Sequence, residues 1–131
     1  TKTGAIIVIT QMDDLAVFAE SGVVMNAEIS VPMIESIFYK NSPLHDGALI
    51  IRNNQIISAR CVLPVTNSTD FPQNLGMRHR AAVGITEESD AIAIVVSEEN
   101  GKISYSKDGE LFTKRTPIQL EQFLERIFTK K

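Results

Sequence analysis

An α/β fold, a mixed central β-sheet flanked by helices, is predicted by three features of the sequence. Two continuous apolar runs, Ala5–Ile9 and Ala91–Val96, are of strand length and rich in β-branched side chains, the pattern of strands buried on both faces. Elsewhere apolar residues recur at helical spacing, as in Ile34, Ile37 and Phe38, or Leu120, Phe123, Leu124, Ile127 and Phe128. Gly47–Ile51 and Gln55–Leu63 flank a polar Asn53-Asn54 pair, an antiparallel hairpin pattern, so the sheet cannot be purely parallel.

Taken in order, Ala5–Ile9 is the first strand, and Thr10-x-x-Asp13 after it has the form of a capping box. That predicts a helix from near Gln11, with Leu15, Phe18 and Ala19 on one face and Gly22 ending it in the left-handed conformation. Ser30 is the expected N-cap of the next helix, Pro32 fits its first turn, and Asn41 and Pro43 stop it. The hairpin follows, its second strand closed by Pro64. Thr66 to Leu75 is polar and loop-like, and a helix is expected from about Gly76 to Glu88. Ala91–Val96 then leads into a turn at Glu99-Asn100-Gly101, and Lys102–Ser106 and Glu110–Phe112 pair around Asp108-Gly109. Thr116-Pro117-Ile118-Gln119 combines an N-cap, a proline at the first helical position and the glutamine of a capping box, so the last helix begins there.

The 131 residues are expected to form one domain, 1–131, since no repeat or linker divides them. A chain of this size buries about two-thirds of its surface on folding, enough to need no metal or disulfide staple. Hydrophobic residues at 44% and charged ones at 22% exclude disorder as the main state. Thirteen basic and 16 acidic residues, spread along the chain for a net charge of -3, leave no footprint for nucleic acid. The apolar runs are far shorter than the ~20 residues of a membrane helix. The single cysteine, Cys61, cannot form an internal disulfide and, with two histidines, cannot complete a Cys/His zinc cage, so it is expected in the core and in a reducing compartment. Thr1-Lys2-Thr3 carries no Met start and no targeting signal, so the sequence is expected to be part of a longer chain. Walker A, GxGxxG and GxSxG patterns are absent.

Two segments carry chemistry. In Asn41-Ser42-Pro43-Leu44-His45-Asp46-Gly47-Ala48 a carboxylate and an adjacent imidazole suit a divalent metal or a hydroxyl proton, and Gly47 lets a ligand approach the backbone. The same residues also make a solvated turn feeding a strand. In Gly76-Met77-Arg78-His79-Arg80-Ala81-Ala82-Val83-Gly84, cationic side chains fall in the first turn of a helix, where the macrodipole is already positive. A bound phosphate resolves that conflict, because helix-end N–H groups and forked guanidinium groups both suit phosphate oxygens. Solvated arginines around a structurally packed His79 are the alternative. Ser97-Glu98-Glu99 is either a strand end entering a turn or a pair of carboxylates facing the same cleft as Asp46.

Together, Asp46-Gly47-Ala48 and Arg78-His79-Arg80, with the wider wording of both segments and a hairpin between them, resemble the diadenylate cyclase (DAC) domain over nearly the whole chain. The resemblance implies the DAC-domain fold and condensation of two ATP molecules to cyclic di-3',5'-adenylate, with release of two pyrophosphates and with Mg²⁺ or Mn²⁺ as cofactor. Carried over, Asp46 and His45 would hold the metal, Asp46 would help activate the ribose 3'-hydroxyl, and Gly47 and Ala48 would admit ribose and phosphates to the main chain. Arg78, His79 and Arg80 would hold or support the triphosphate. Ser97 and Glu98 or Glu99 would add phosphate or metal contacts, and Leu63 would read adenine through backbone groups. Met77 stands where many relatives have Thr, leaving only its backbone for the nucleotide. The resemblance also implies a catalytic homodimer with two ATP, and a cytoplasmic domain of a membrane-anchored bacterial protein. A non-catalytic nucleotide sensor and an interaction domain are the competing functions.

Overall fold

A computed structural model describes residues 4–39, 47–68, 71–72, 75–97 and 101–128. In chain order its elements are β1 (Ala5–Ile9), α1 (Ala16–Glu20), β2 (Val23–Glu28), α2 (Val31–Phe38), β3 (Ala48–Arg52), β4 (Gln55–Cys61), α3 (Met77–Glu88), β5 (Ile92–Val96), β6 (Ile103–Lys107), β7 (Glu110–Arg115) and α4 (Pro117–Phe128). The strands form one sheet in the order β2-β4-β3-β1-β5-β6-β7. It is mixed: β1 runs parallel to β3 and antiparallel to β5, and the other pairings are antiparallel.

The unbroken apolar runs follow from the central place of β1 and β5. Ile6 and Val8, with Ala93 and Val95, face a core closed by Leu15 and Ala19 near α1 and by Ala82 and Ile85 of α3. Alternate residues face the other way. On that side Ile37 and Phe38 of α2 cover Leu49 and Ile56, and Phe123 of α4 stacks on Tyr105 with ring centroids 3.9 Å apart. Both hairpin turns place two residues in the left-handed region, Asn53 and Asn54 at φ 51° and 63° and Asp108 and Gly109 at 53° and 80°, matching the strand twist. Two helix starts are built as the sequence predicts. Met33 N donates to Ser30 Oγ at 3.1 Å, and Thr116 and Gln119 cap reciprocally, Gln119 N to Thr116 Oγ1 at 3.1 Å and Thr116 N to Gln119 Oε1 at 2.8 Å.

The first helix departs from expectation. It starts at Ala16, not near Gln11, because Thr10 N donates to Ile51 O and the next residues turn onto a distant partner. Met12 N and Asp13 N donate to the Asp90 carboxylate at 2.9 and 3.1 Å, and Gln11 Nε2 donates to Asp90 O at 2.6 Å. Asp13 instead accepts from Leu15 N. Gly22 is not the left-handed helix end; Ser21 is the C-cap, and Gly22 is needed because a Cβ there would collide with the Ala59 carbonyl of β4. The β2 strand has no counterpart in the sequence reading, its two valines being exposed and its alternation broken by Asn26 at φ 49°. The β4 strand ends at Cys61, short of Leu63, and β7 runs on to Arg115, past Phe112. The Asn41 and Pro43 stop signals lie outside the described residues, and α2 ends at Phe38.

Gly84 has a packing role. The chain leaving β4 crosses α3 there, and a Cβ on Gly84 would run into the Pro64 carbonyl and lie 3.0 Å from Thr66 N. Gly84→Ala should therefore cost at least about 1–3 kcal/mol of stability by overpacking against backbone. Urea denaturation checks this; an unchanged midpoint would remove the close crossing.

Candidate active site

Neighbouring strand ends on one side of the sheet, the first turn of α3 and the chain joining β4 to α3 enclose a cleft of about 1180 Å³. That slightly exceeds the ~300–1,000 Å³ usual for small-molecule sites, room for a ligand of nucleotide size. Its walls include Ile6 of β1, Ala48 of β3, Cys61 of β4 and Val95 of β5. Gly47 lies at φ 92°, and a Cβ on it would come within 2.9 Å of the Arg60 backbone, so only glycine fits where β3 enters the cleft.

The α3 end of the cleft is electropositive by construction. Gly76 caps the helix in extended conformation with no side-chain hydrogen bond, and the first turn holds no acidic residue. Arg80 N donates to Gly76 O at 3.2 Å, the bond that closes the first turn of α3, and the partial positive charge of the helix start lies at this end of the cleft. Met77, Arg78 and His79 line the cleft, Met77 being 66% exposed.

The fold thus brings Gly47, Ala48 and Leu63 together with Met77, Arg78, His79 and Ser97 around one space. Ser97 is held in a turn, its N donating to Lys102 O at 3.0 Å and its O accepting from Gly101 N at 2.9 Å. Arg80 is not on that wall: its guanidinium stands 4.6 Å from the centroid of the Phe71 ring. His45, Asp46, Glu98 and Glu99 lie outside the described residues, although their chain neighbours Gly47 and Ser97 both line the cleft.

Sequence reasoning missed Arg60, Lys102, Ser104, Thr113 and Lys114, which line it too. Arg60 and Lys114 sit at φ 59° and 55°, each where its strand carries one residue more than its partner: β4 between Ser58 and Cys61, β7 between Phe112 and Arg115. Such bulges re-aim a side chain, and a non-glycine residue there costs of order 1–3 kcal/mol. No local signal marks them, because neither position carries the Gly, Asn or Asp that would announce a left-handed residue.

Comparison with known proteins decides the family. Residues 1–111 match the DAC family, described as the DisA bacterial checkpoint controller nucleotide-binding domain. The chain belongs to the DAC family. It is 47% identical over 112 residues to diadenylate cyclase CdaS of Bacillus thuringiensis, covering 86% of this chain and 56% of that protein. With cyclic di-AMP synthase CdaA of Bacillus subtilis it shares 42% over 129 residues, 98% of this chain and 47% of the relative. The chain therefore spans about half the length of these relatives. The crystal structure of a double-cysteine mutant of DacA from Staphylococcus aureus superposes with a TM-score of 0.93 at 41% identity, covering 95% of this chain and 83% of that one. A hypothetical membrane spanning protein from Bacillus cereus gives 0.84 at 46% identity, over 88% and 56%.

Among the described residues of this DAC domain, no three His, Cys, Asp or Glu side chains gather to hold a metal ion, and no helix is long and apolar enough to cross a membrane. Cys61 is buried and burial raises its thiol pKa, which suits a small core residue better than a nucleophile. His79 is pushed below its ordinary value of 6.5, first by burial and then by the neighbouring Arg78 charge. The folded chain then binds this proton less readily than the unfolded one, so stability should fall as pH drops below about 6.5. His79→Gln should flatten that fall, read as urea midpoints between pH 7.5 and 5.5; an unchanged slope would assign the acid sensitivity elsewhere.

Proposed function

We propose that this domain, residues 1–131, is the catalytic unit of a diadenylate cyclase and supplies one of two ATP half-sites. The observation that carries the proposal is the meeting of Gly47 and Ala48 with the basic first turn of α3 in one cleft of nucleotide size. Family membership and relatives named as diadenylate cyclases support it. In each of two displacements a ribose 3'-oxygen forms a bond to the α-phosphorus of the other ATP, the bond to pyrophosphate breaks, and the hydroxyl proton leaves. Two ATP thus yield one cyclic di-3',5'-adenylate and two pyrophosphates.

Positioning and charge compensation dominate such a reaction. Arg78 and the α3 N–H groups hold the triphosphate, His79 and Ser97 adjoin it, and Gly47 and Ala48 let it lie against the main chain. Leu63, at the end of the hairpin, presents backbone groups to adenine, and Met77 offers its backbone. The carboxylates of Asp46 and of Glu98 or Glu99 are hard oxygen donors, and His45 adjoins Asp46, a donor set that fits Mg²⁺ or Mn²⁺. When bound, that ion would screen the triphosphate and lower the pKa of the 3'-hydroxyl. We further propose a homodimer as the active form and a membrane-anchored bacterial parent protein with this domain on the cytoplasmic side.

The test is incubation of the purified domain with ATP and Mn²⁺ or Mg²⁺ and mass analysis of the products. Cyclic dinucleotide with pyrophosphate is expected. ADP with free phosphate would indicate different chemistry, and ATP binding without turnover would make the domain a sensor.

A further inference from the structure

We infer that Arg80 is a positioning residue: it clamps the chain joining β4 to α3, which forms the nucleoside wall of the cleft, and does not itself contact phosphate. The inference rests on nucleotide binding in the cleft as proposed above.

Helix geometry separates Arg80 from its neighbour in the motif. At about 100° per residue, Arg78 and Arg80 point roughly 200° apart, so their side chains leave the helix in different directions. Arg78 lines the cleft and Arg80 does not. Arg80 instead touches the connecting chain twice. Its carbonyl oxygen accepts from Thr66 N at 3.1 Å, a contact that Gly84, one turn on, makes possible by having no side chain between helix and chain. Its guanidinium covers the buried Phe71 ring at 4.6 Å. A third tie runs from the far end of α3, Thr66 Oγ1 donating to the Glu87 carboxylate at 2.9 Å.

The cleft-lining residues of the connecting chain flank those anchors on either side. Val65 precedes Thr66, Pro72 follows Phe71, and both line the cleft, as does Leu75, whose N donates to Pro72 O at 3.3 Å. This wall continues from Leu63, the residue expected to meet adenine, and not from Ser97 on the phosphate side. Loosening it should weaken whatever holds the nucleoside, irrespective of the number of phosphates.

The experiment measures AMP and ATP affinity for the purified domain and for Arg80→Met, Arg80→Lys, Phe71→Leu, the Arg80→Met/Phe71→Leu double variant and Arg78→Ala, with KM and kcat for each. Arg80→Met is expected to weaken AMP and ATP by the same factor, about five- to tenfold for loss of a half-buried cation–π contact. KM should rise with kcat at saturating ATP nearly unchanged. Arg80→Lys should recover part of the loss, and Arg80→Met should add little in the Phe71→Leu background. Arg78→Ala should lose ATP far more than AMP. Amide exchange at residues 65–68, Phe71 and Leu75 should quicken in both Arg80→Met and Phe71→Leu before any nucleotide is added; Arg80→Lys carries the comparison should Arg80→Met fail to fold. A loss at Arg80 confined to ATP, or one fully additive with Phe71→Leu, would overturn the clamp and restore Arg80 as a phosphate contact. A parent domain that binds neither nucleotide would instead overturn the functional reading itself, while quickened exchange in the variants would still show Arg80 holding the wall.

Discussion

Asp46→Asn is expected to bind ATP nearly as well as the parent protein and to lose almost all cyclisation, a fall in turnover of about a thousandfold or more. The substitution keeps the size of the side chain and removes its charge, so the change falls on the chemistry and not on the space. Asp46 immediately precedes Gly47, whose positive φ and close approach to the Arg60 backbone fix where β3 enters the cleft. A carboxylate at that point of the chain has two jobs in the proposed mechanism: holding the divalent ion and favouring loss of the 3'-hydroxyl proton. Asparagine does the first poorly and the second not at all. Binding of ATP is assigned in that mechanism to Arg78 and the α3 N–H groups, which the substitution leaves in place. Product formation at saturating ATP and metal, set beside ATP affinity by titration, checks this; near-normal turnover would reject Asp46 as an essential group.

What the sequence discloses about this protein is largely what neighbouring residues decide among themselves. The β1 run, the Asn53-Asn54 turn, the Ser30 cap and the Thr116–Gln119 box are all local, and each has its predicted place in the structure. The start of α1 is not local. The Thr10-x-x-Asp13 pattern is genuine, but the Asp90 carboxylate, 77 residues beyond Asp13, takes the Asp13 N–H that a capping box would have used, and Ile51 O takes that of Thr10. Gly22 shows the same limit, since its reason lies in the Ala59 carbonyl of another strand.

The candidate site divides similarly. Gly47, Leu63, Arg78 and Ser97 converge because neighbouring strand ends and a helix start meet on one side of the sheet, an outcome that motif spacing suggests and only the topology delivers. Arg60 and Lys114 reach the same cleft through bulges that no residue type announces. Arg80 was legible in part: adjacency in the motif groups it with Arg78, whereas the turn angle of a helix, equally readable from the sequence, already separates them. Its partner Phe71 was out of reach, hidden in a segment whose composition says only that it is a loop.

The second large effect concerns assembly. Activity per protomer should rise with protein concentration, while ATP binding should not depend on it. Each domain offers one cleft in which the two motif segments meet, yet the product contains two equivalent phosphodiester links, each joining one nucleotide's 3'-oxygen to the other's phosphorus. A two-fold axis between facing domains meets that requirement, because it sets each 3'-hydroxyl against the partner's α-phosphate by the same geometry. In the proposed mechanism a lone domain would hold ATP but have no second nucleotide to attack. Well below the dimer dissociation constant, the dimer fraction is proportional to total protein, so a tenfold dilution should lower specific activity about tenfold. Mixing Asp46→Asn with Arg78→Ala protein should restore little, since every facing pair then lacks a required group on at least one side. Specific activity measured across a dilution series, with sedimentation at the same concentrations, decides the matter: constant activity from a species that sediments as a monomer would defeat the facing arrangement and leave the cleft without the partner its chemistry needs.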